Sequence, residues 1–116
     1  LSLHDALPIS HITGGGFTEN VPRVLPKGTG CWIDAGSFTF SPVFRWLMAE
    51  GGVAPAEMAR TFNCGIGMAV VVGVDQVEEV TRMLRESGEA EVFRIGEVQA
   101  GEGCEMRGLE KWGAGV

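Results

Sequence analysis

Three consecutive glycines, Gly14, Gly15 and Gly16, stand between His11 and Thr13 on one side and Glu19, Asn20 and Arg23 on the other. These are the residues whose types and spacing could do chemistry. Glycine lets the backbone turn tightly and expose its N–H groups, and a helix opening just after them adds its unpaired amides and positive dipole end. That combination makes a cradle for a phosphate. The pattern is not a nucleotide P-loop, because no Lys-Ser/Thr pair follows, and it lacks the spacing of a dinucleotide fingerprint. On composition alone, a structural turn and an anion site stand about even. His11, one strand step ahead of the turn, could hydrogen-bond the anion or move a proton, or serve as a structural histidine. Thr13 offers a hydroxyl to the same anion or caps the helix. Glu19 and Asn20 lie near the helix start, where a held ligand could meet them. Arg23 suits a phosphate or a surface ion pair.

The elements that position these groups can be read from pattern. His11 to Thr13 reads as a strand end. The helix that follows puts Phe17, Val21, Val24 and Leu25 on one face, with Pro22 in or near its first turn and Pro26 stopping it. Lys27 to Gly30 is a turn, and Cys31 to Asp34 a short strand with Ile33 buried. Ser41-Pro42 opens a helix that Gly51-Gly52 closes, with Val43, Phe44, Leu47 and Met48 on one face. Trp46 points elsewhere, to pack on a neighbouring element or line a cleft. Pro55 opens a second short helix, broken at Thr61 to Gly65. Ile66 to Val72 is a nearly continuous apolar run that suits a central strand covered on both faces. Asp75 reads as the N-cap of a helix with Val77, Val80, Thr81 and Leu84 as its apolar stripe and Gly88 as its end. Val92 to Val98 reads as a strand, with Gly96 marking a bulge or close approach. Cys104 to Leu109 reads as a last edge strand, and Gly113 to Val116 as a fraying end. The alternation predicts an α/β (α+β) fold, a two-layer sandwich of helices on a mixed sheet.

Composition excludes several classes. The 116 residues fit one domain, with 45% hydrophobic and 21% charged residues. A formal charge of −6 argues against a nucleic-acid surface, and no apolar run approaches a membrane span. Cys31, Cys64 and Cys104 are odd in number and widely spaced, which argues against a disulfide framework or a zinc site and for a reducing, cytoplasmic setting. Asp34, Asp75 and the glutamates lack metal-ligand spacing.

The string from His11 to Pro26 closely resembles a signature of the phosphoribosylformylglycinamidine cyclo-ligase (aminoimidazole ribonucleotide synthetase) family. Glu57 to Met68, with Arg60-Thr61-Phe62-Asn63-Cys64-Gly65 inside it, resembles a second, and Pro42 to Leu47 resembles the family's Pro-x-x-Phe-x-Trp-Leu helix. The likeness runs from His11 to about Val98. It implies the C-terminal domain of the aminoimidazole ribonucleotide synthetase-like ATP-binding superfamily, spanning residues 11–116 here. The first ten residues do not resemble what precedes this histidine in the family and are read as a foreign or mistranslated leader. The resemblance implies ring closure of formylglycinamidine ribonucleotide to 5-aminoimidazole ribonucleotide in purine biosynthesis. ATP and Mg²⁺ would be held mainly by an N-terminal domain that also builds a homodimer. It further implies that the glycine turn takes the substrate's ribose phosphate, with Thr13, Gly14, Gly15, Gly16, Asn20 and Asn63 as binding residues and His11 as the catalytic candidate. The segment around Asn63 would lie by the active-site cleft, although its side chain could equally bond its own turn. The chain alone would be catalytically silent. Alternatives are a non-catalytic phosphate-ligand module, or a fragment of formylglycinamidine ribonucleotide synthetase, selenophosphate synthetase or thiamine-monophosphate kinase, whose wording at the glycine turn differs.

Overall fold

The computed structural model describes residues 8–113. Helices pack against two sheets. Strand β1 (Ile9–His11) pairs antiparallel with β3 (Met68–Val70), His11 opposite Met68. The second sheet has β2 (Thr29–Asp34) at its centre, antiparallel to β4 (Gly96–Ala100) and parallel to β5 (Gly103–Arg107). The anticipated mixed sheet is therefore this three-stranded unit, with β1 and β3 forming a separate ribbon. Ile9 and Ser10, read as part of a leader, continue β1 and hold register with β3.

Around the sheets lie α1 (Gly16–Asn20), α2 (Pro42–Gly51), α3 (Pro55–Thr61), α4 (Val77–Glu86) and α5 (Glu110–Gly113). A tighter 3₁₀ turn at Val21–Val24 prolongs α1, and Leu25 is already extended before Pro26. Helix α2 ends on Gly52 at φ 61°, the left-handed geometry that suits glycine.

Several readings need correction. The apolar run from Ile66 to Val72 yields only Met68–Val70 as strand, with Met68 exposed, because among the described residues β3 pairs with β1 alone and is not a covered central strand. The strand read at Val92 to Val98 begins four residues later, at Gly96. Its close approach is real, since a Cβ there would strike the Trp32 carbonyl. Asp75 does not cap α4; it lies in a 3₁₀ turn, Val74–Gln76, and Gln76 holds the cap position. Val43 and Trp46 both face solvent on α2, Trp46 at 61% exposure, while Phe44 packs toward Phe62 with ring centroids 5.7 Å apart. Residues 110–113 form α5, and of the end read as fraying, 114–116 lie outside the described residues.

Helix α5 matters because it delivers Trp112 to the core. That ring stacks on Phe40 at 4.5 Å and meets Phe38 edge-on at 6.2 Å, and Phe38 in turn touches Phe17 of α1. The indole N–H donates to the Ala35 carbonyl at 2.8 Å, and Arg45 donates to the Trp112 carbonyl at 2.7 Å. Ile12, Cys31, Ile33, Met48, Met58 and Cys64 belong to the same buried cluster. Aromatic contacts of this geometry each add about 1 kcal/mol beyond area burial.

Candidate functional site

The glycine turn is built from β1 outward. Alternation along β1 leaves His11 exposed and Ile12 buried, and the Ile12 amide donates to the Gly67 carbonyl, so the turn leaves the sheet next to the second motif. Gly15, at φ 99°, is the N-cap of α1, and Gly16 follows at φ 59°. The three glycines are not equivalent. A Cβ on Gly14 would meet nothing within 4 Å, whereas one on Gly16 would strike the carbonyls of Ala59 and Phe62. Gly14 is thus the open position, and Gly16 is the point where α1 presses on the end of α3. This contact joins the two motifs through residues more than forty positions apart in sequence.

Amide use follows the same division. The Gly16 N–H donates to the Thr13 carbonyl at 2.9 Å, which commits it to the turn. Among the described residues, the amides of Gly14, Gly15, Phe17 and Thr18 have no backbone acceptor. An anion at this turn would therefore draw on those four rather than on Gly16.

Asn20 is buried, and its amide nitrogen donates to the carbonyls of Gly16 at 2.8 Å and of Thr13 and Gly14 at 3.3 Å each. Its oxygen accepts from Thr13 Oγ1 at 3.5 Å and from Arg23 at 3.4 Å. The side chain expected at a ligand is thus the internal tie of the turn, a positioning residue. Asn63 likewise turns inward: its oxygen accepts the Gly65 amide at 2.9 Å, the own-turn alternative. Cys64 beside it has φ 55°, uncommon for a residue with a Cβ, and its thiol donates to the Met58 carbonyl at 3.5 Å. Burial pushes that thiol up to about 12. Arg60 and Thr61 both bond Glu57 on their own helix.

Glu19 was not singled out for what it does here. Its carboxylate lies over Gly15, where a Cβ on that glycine would collide with it. A negative group thus sits at the mouth of the turn and opposes an entering anion by like charge. An acidic residue in the first helical turn is favourable to the dipole and so reads from sequence as ordinary capping chemistry. Only the fold-back reveals the competition.

Among the described residues, no three of His, Cys, Asp and Glu gather as a metal site. An apolar cleft of about 600 Å³ lies elsewhere. It opens between the apolar stripe of α4 and the inner side of the β2–β4 pair, lined by Val70, Val72, Val80, Leu84, Phe93 and Ile95, and none of the three glycines borders it.

A two-sheet α+β domain whose glycine turn is pinned by an asparagine and pressed on the Phe-Asn-Cys-Gly turn matches a known family model. Residues 3–108 fit the C-terminal domain of AIR synthase related proteins, and the chain belongs to that family. It is similar to the phosphoribosylformylglycinamidine cyclo-ligase of Chromobacterium violaceum, with 52% identity over 108 residues. That match covers 90% of this chain and 31% of the relative, so the chain spans about a third of its relative's length. The matched span reaches further at both ends than the His11 to Val98 likeness read from the motifs.

Proposed function

We propose that the chain is the C-terminal domain of a cyclo-ligase of purine biosynthesis, one that cyclises formylglycinamidine ribonucleotide to 5-aminoimidazole ribonucleotide. In that reaction ATP activates the formyl oxygen as a phosphate ester, and an amidine nitrogen displaces the phosphate to close the ring. The observation that carries the reading is the meeting of the two signature turns at Gly16, Ala59 and Phe62 in a chain 52% identical to a protein of that name. ATP and Mg²⁺ would be held mainly by residues outside this chain, in a cytoplasmic homodimer.

Within this chain, the free amides of the glycine turn hold the ribose 5-phosphate of the substrate. The dipole end of α1 adds a favourable field there. Thr13 stands at the turn's entrance with its hydroxyl near Asn20. His11, exposed at the end of β1, is the group available to hydrogen-bond the phosphate or carry a proton.

The test is calorimetric titration of the purified chain with formylglycinamidine ribonucleotide and, separately, with ATP, using wild type and Gly14→Val. The valine adds bulk only over the open face. Substrate binding that disappears in the variant supports the reading; binding that survives unchanged overturns the placement of the phosphate. Binding of ATP alone would assign the turn to the nucleotide.

A further inference from the structure

Two cysteines that lie 73 positions apart in sequence are register partners in space. Cys31 of β2 stands directly opposite Cys104 of β5 in the parallel pair. Paired residues of neighbouring strands point to the same side of the sheet, and adjacent strands lie about 4.8 Å apart, inside the roughly 4.4–6.8 Å span of Cα positions that a disulfide bridges. The two thiols interact electrostatically across the strand pair, and the Cys104 Sγ also contacts Met106 Sδ at 4.0 Å. Cys31 is buried but lines the wall of the apolar cleft, which gives a small oxidant a route to it, and Cys104 is half-buried. The third cysteine, Cys64, is fully buried in the core cluster and bonded to the Met58 carbonyl.

We propose that Cys31 and Cys104 are a redox-modification site, converted by hydrogen peroxide to a disulfide that ties β2 to β5 and reopened by a dithiol reductant. The cleft is lined by Cys31 and not by Cys104, so a small oxidant entering there meets Cys31 first, and Cys31 is the first nucleophile. The contact with Cys104 favours its thiolate in the same direction. Its thiolate attacks one peroxide oxygen; the O–O bond breaks, and the other oxygen leaves as hydroxide and takes a proton to become water. The Cys104 sulfur then attacks the Cys31 sulfenic acid, forming the S–S bond and releasing a second water with the Cys104 proton. Two thiols lose two electrons, and one peroxide gains them.

The experiment is mild hydrogen peroxide treatment of the whole chain, thiol titration under denaturing conditions, and peptide mapping without reductant. The thiol count should fall from three to one. The map should show the Cys31 and Cys104 peptides joined with loss of two hydrogens, and dithiothreitol should restore all three thiols. In Cys64→Ser the count should fall from two to none, and in Cys31→Ser no disulfide should form. Thiols that stay titratable, Cys31 found as sulfinic acid with Cys104 still reduced, or a bridge to Cys64 would each overturn the proposal.

Discussion

At the scale of single residues, the turn is held together by Asn20 and kept narrow by Gly16. Asn20→Ala leaves the loop carbonyls without a donor and should cost about 2 kcal/mol in chemical denaturation, with loss of ligand binding because the turn loses its shape. Asn20→Asp keeps the size but removes both N–H donors, and should be no better. Gly16→Ala combines a left-handed backbone with collision against α3, and should cost about 3 kcal/mol; a variant as stable as wild type would show that α1 and α3 can separate freely. Glu19 acts in the opposite sense. Glu19→Gln removes the like charge over Gly15 and should tighten binding of a phosphate ligand several-fold, or about 1 kcal/mol by Coulomb's law at a partly solvated site, as calorimetry would read directly. Cys64 sets an alkaline limit. Its folded value of about 12 lies above the ordinary 9.0, so its contribution to stability is complete below pH 9 and is lost as pH rises toward 12. Thermal melts between those values should fall less steeply for Cys64→Ala, and the chain's lack of tyrosine simplifies that comparison.

At the scale of elements, what was legible had a local cause. Pro42 with Gly52 bounds α2, Pro55 opens α3, and the three glycines announce a turn into α1, because caps and breakers act within a few residues. What was not legible depended on partners. The apolar run around β3 looks like a central strand, yet its ribbon offers it one neighbour. The start of β4 depends on where Gly96 can approach Trp32, which no window of sequence contains. Helix α5 is only four residues and is given no element from sequence, since its reason for existing is Trp112 reaching Phe38 and Phe40. The site shows the same split. The phosphate-binding reading came from glycine chemistry and motif wording, and the own-turn bond of Asn63 was one of its two local alternatives. The inward turn of Asn20 and the fold-back of Glu19, by contrast, are three-dimensional facts. Cys31 and Cys104 are the clearest case: wide spacing argued against pairing, and strand register placed them side by side.

At the scale of the molecule, the apolar cleft beside α4 and the exposed Val74 and Trp46 leave much hydrophobic surface in contact with solvent, and no helix among the described residues is long and apolar enough to cross a membrane. Such surface should bind a fluorescent apolar dye in the native state, and Leu84→Asp should reduce that signal without a change in melting cooperativity. The placement of Trp112 has another consequence, one of timing. Phe17, Phe38 and Phe40 emerge from the ribosome early, but the ring that stacks on Phe40 and caps their cluster is made more than seventy residues later. Until position 112 clears the exit tunnel, the nascent chain carries three aromatic rings and an unpaired Ala35 carbonyl with nothing to close over them. Folding of this domain on the ribosome should therefore be late and abrupt, and a stalled chain ending before residue 112 should remain protease-sensitive where one carrying a C-terminal linker long enough to push residue 112 out of the tunnel does not.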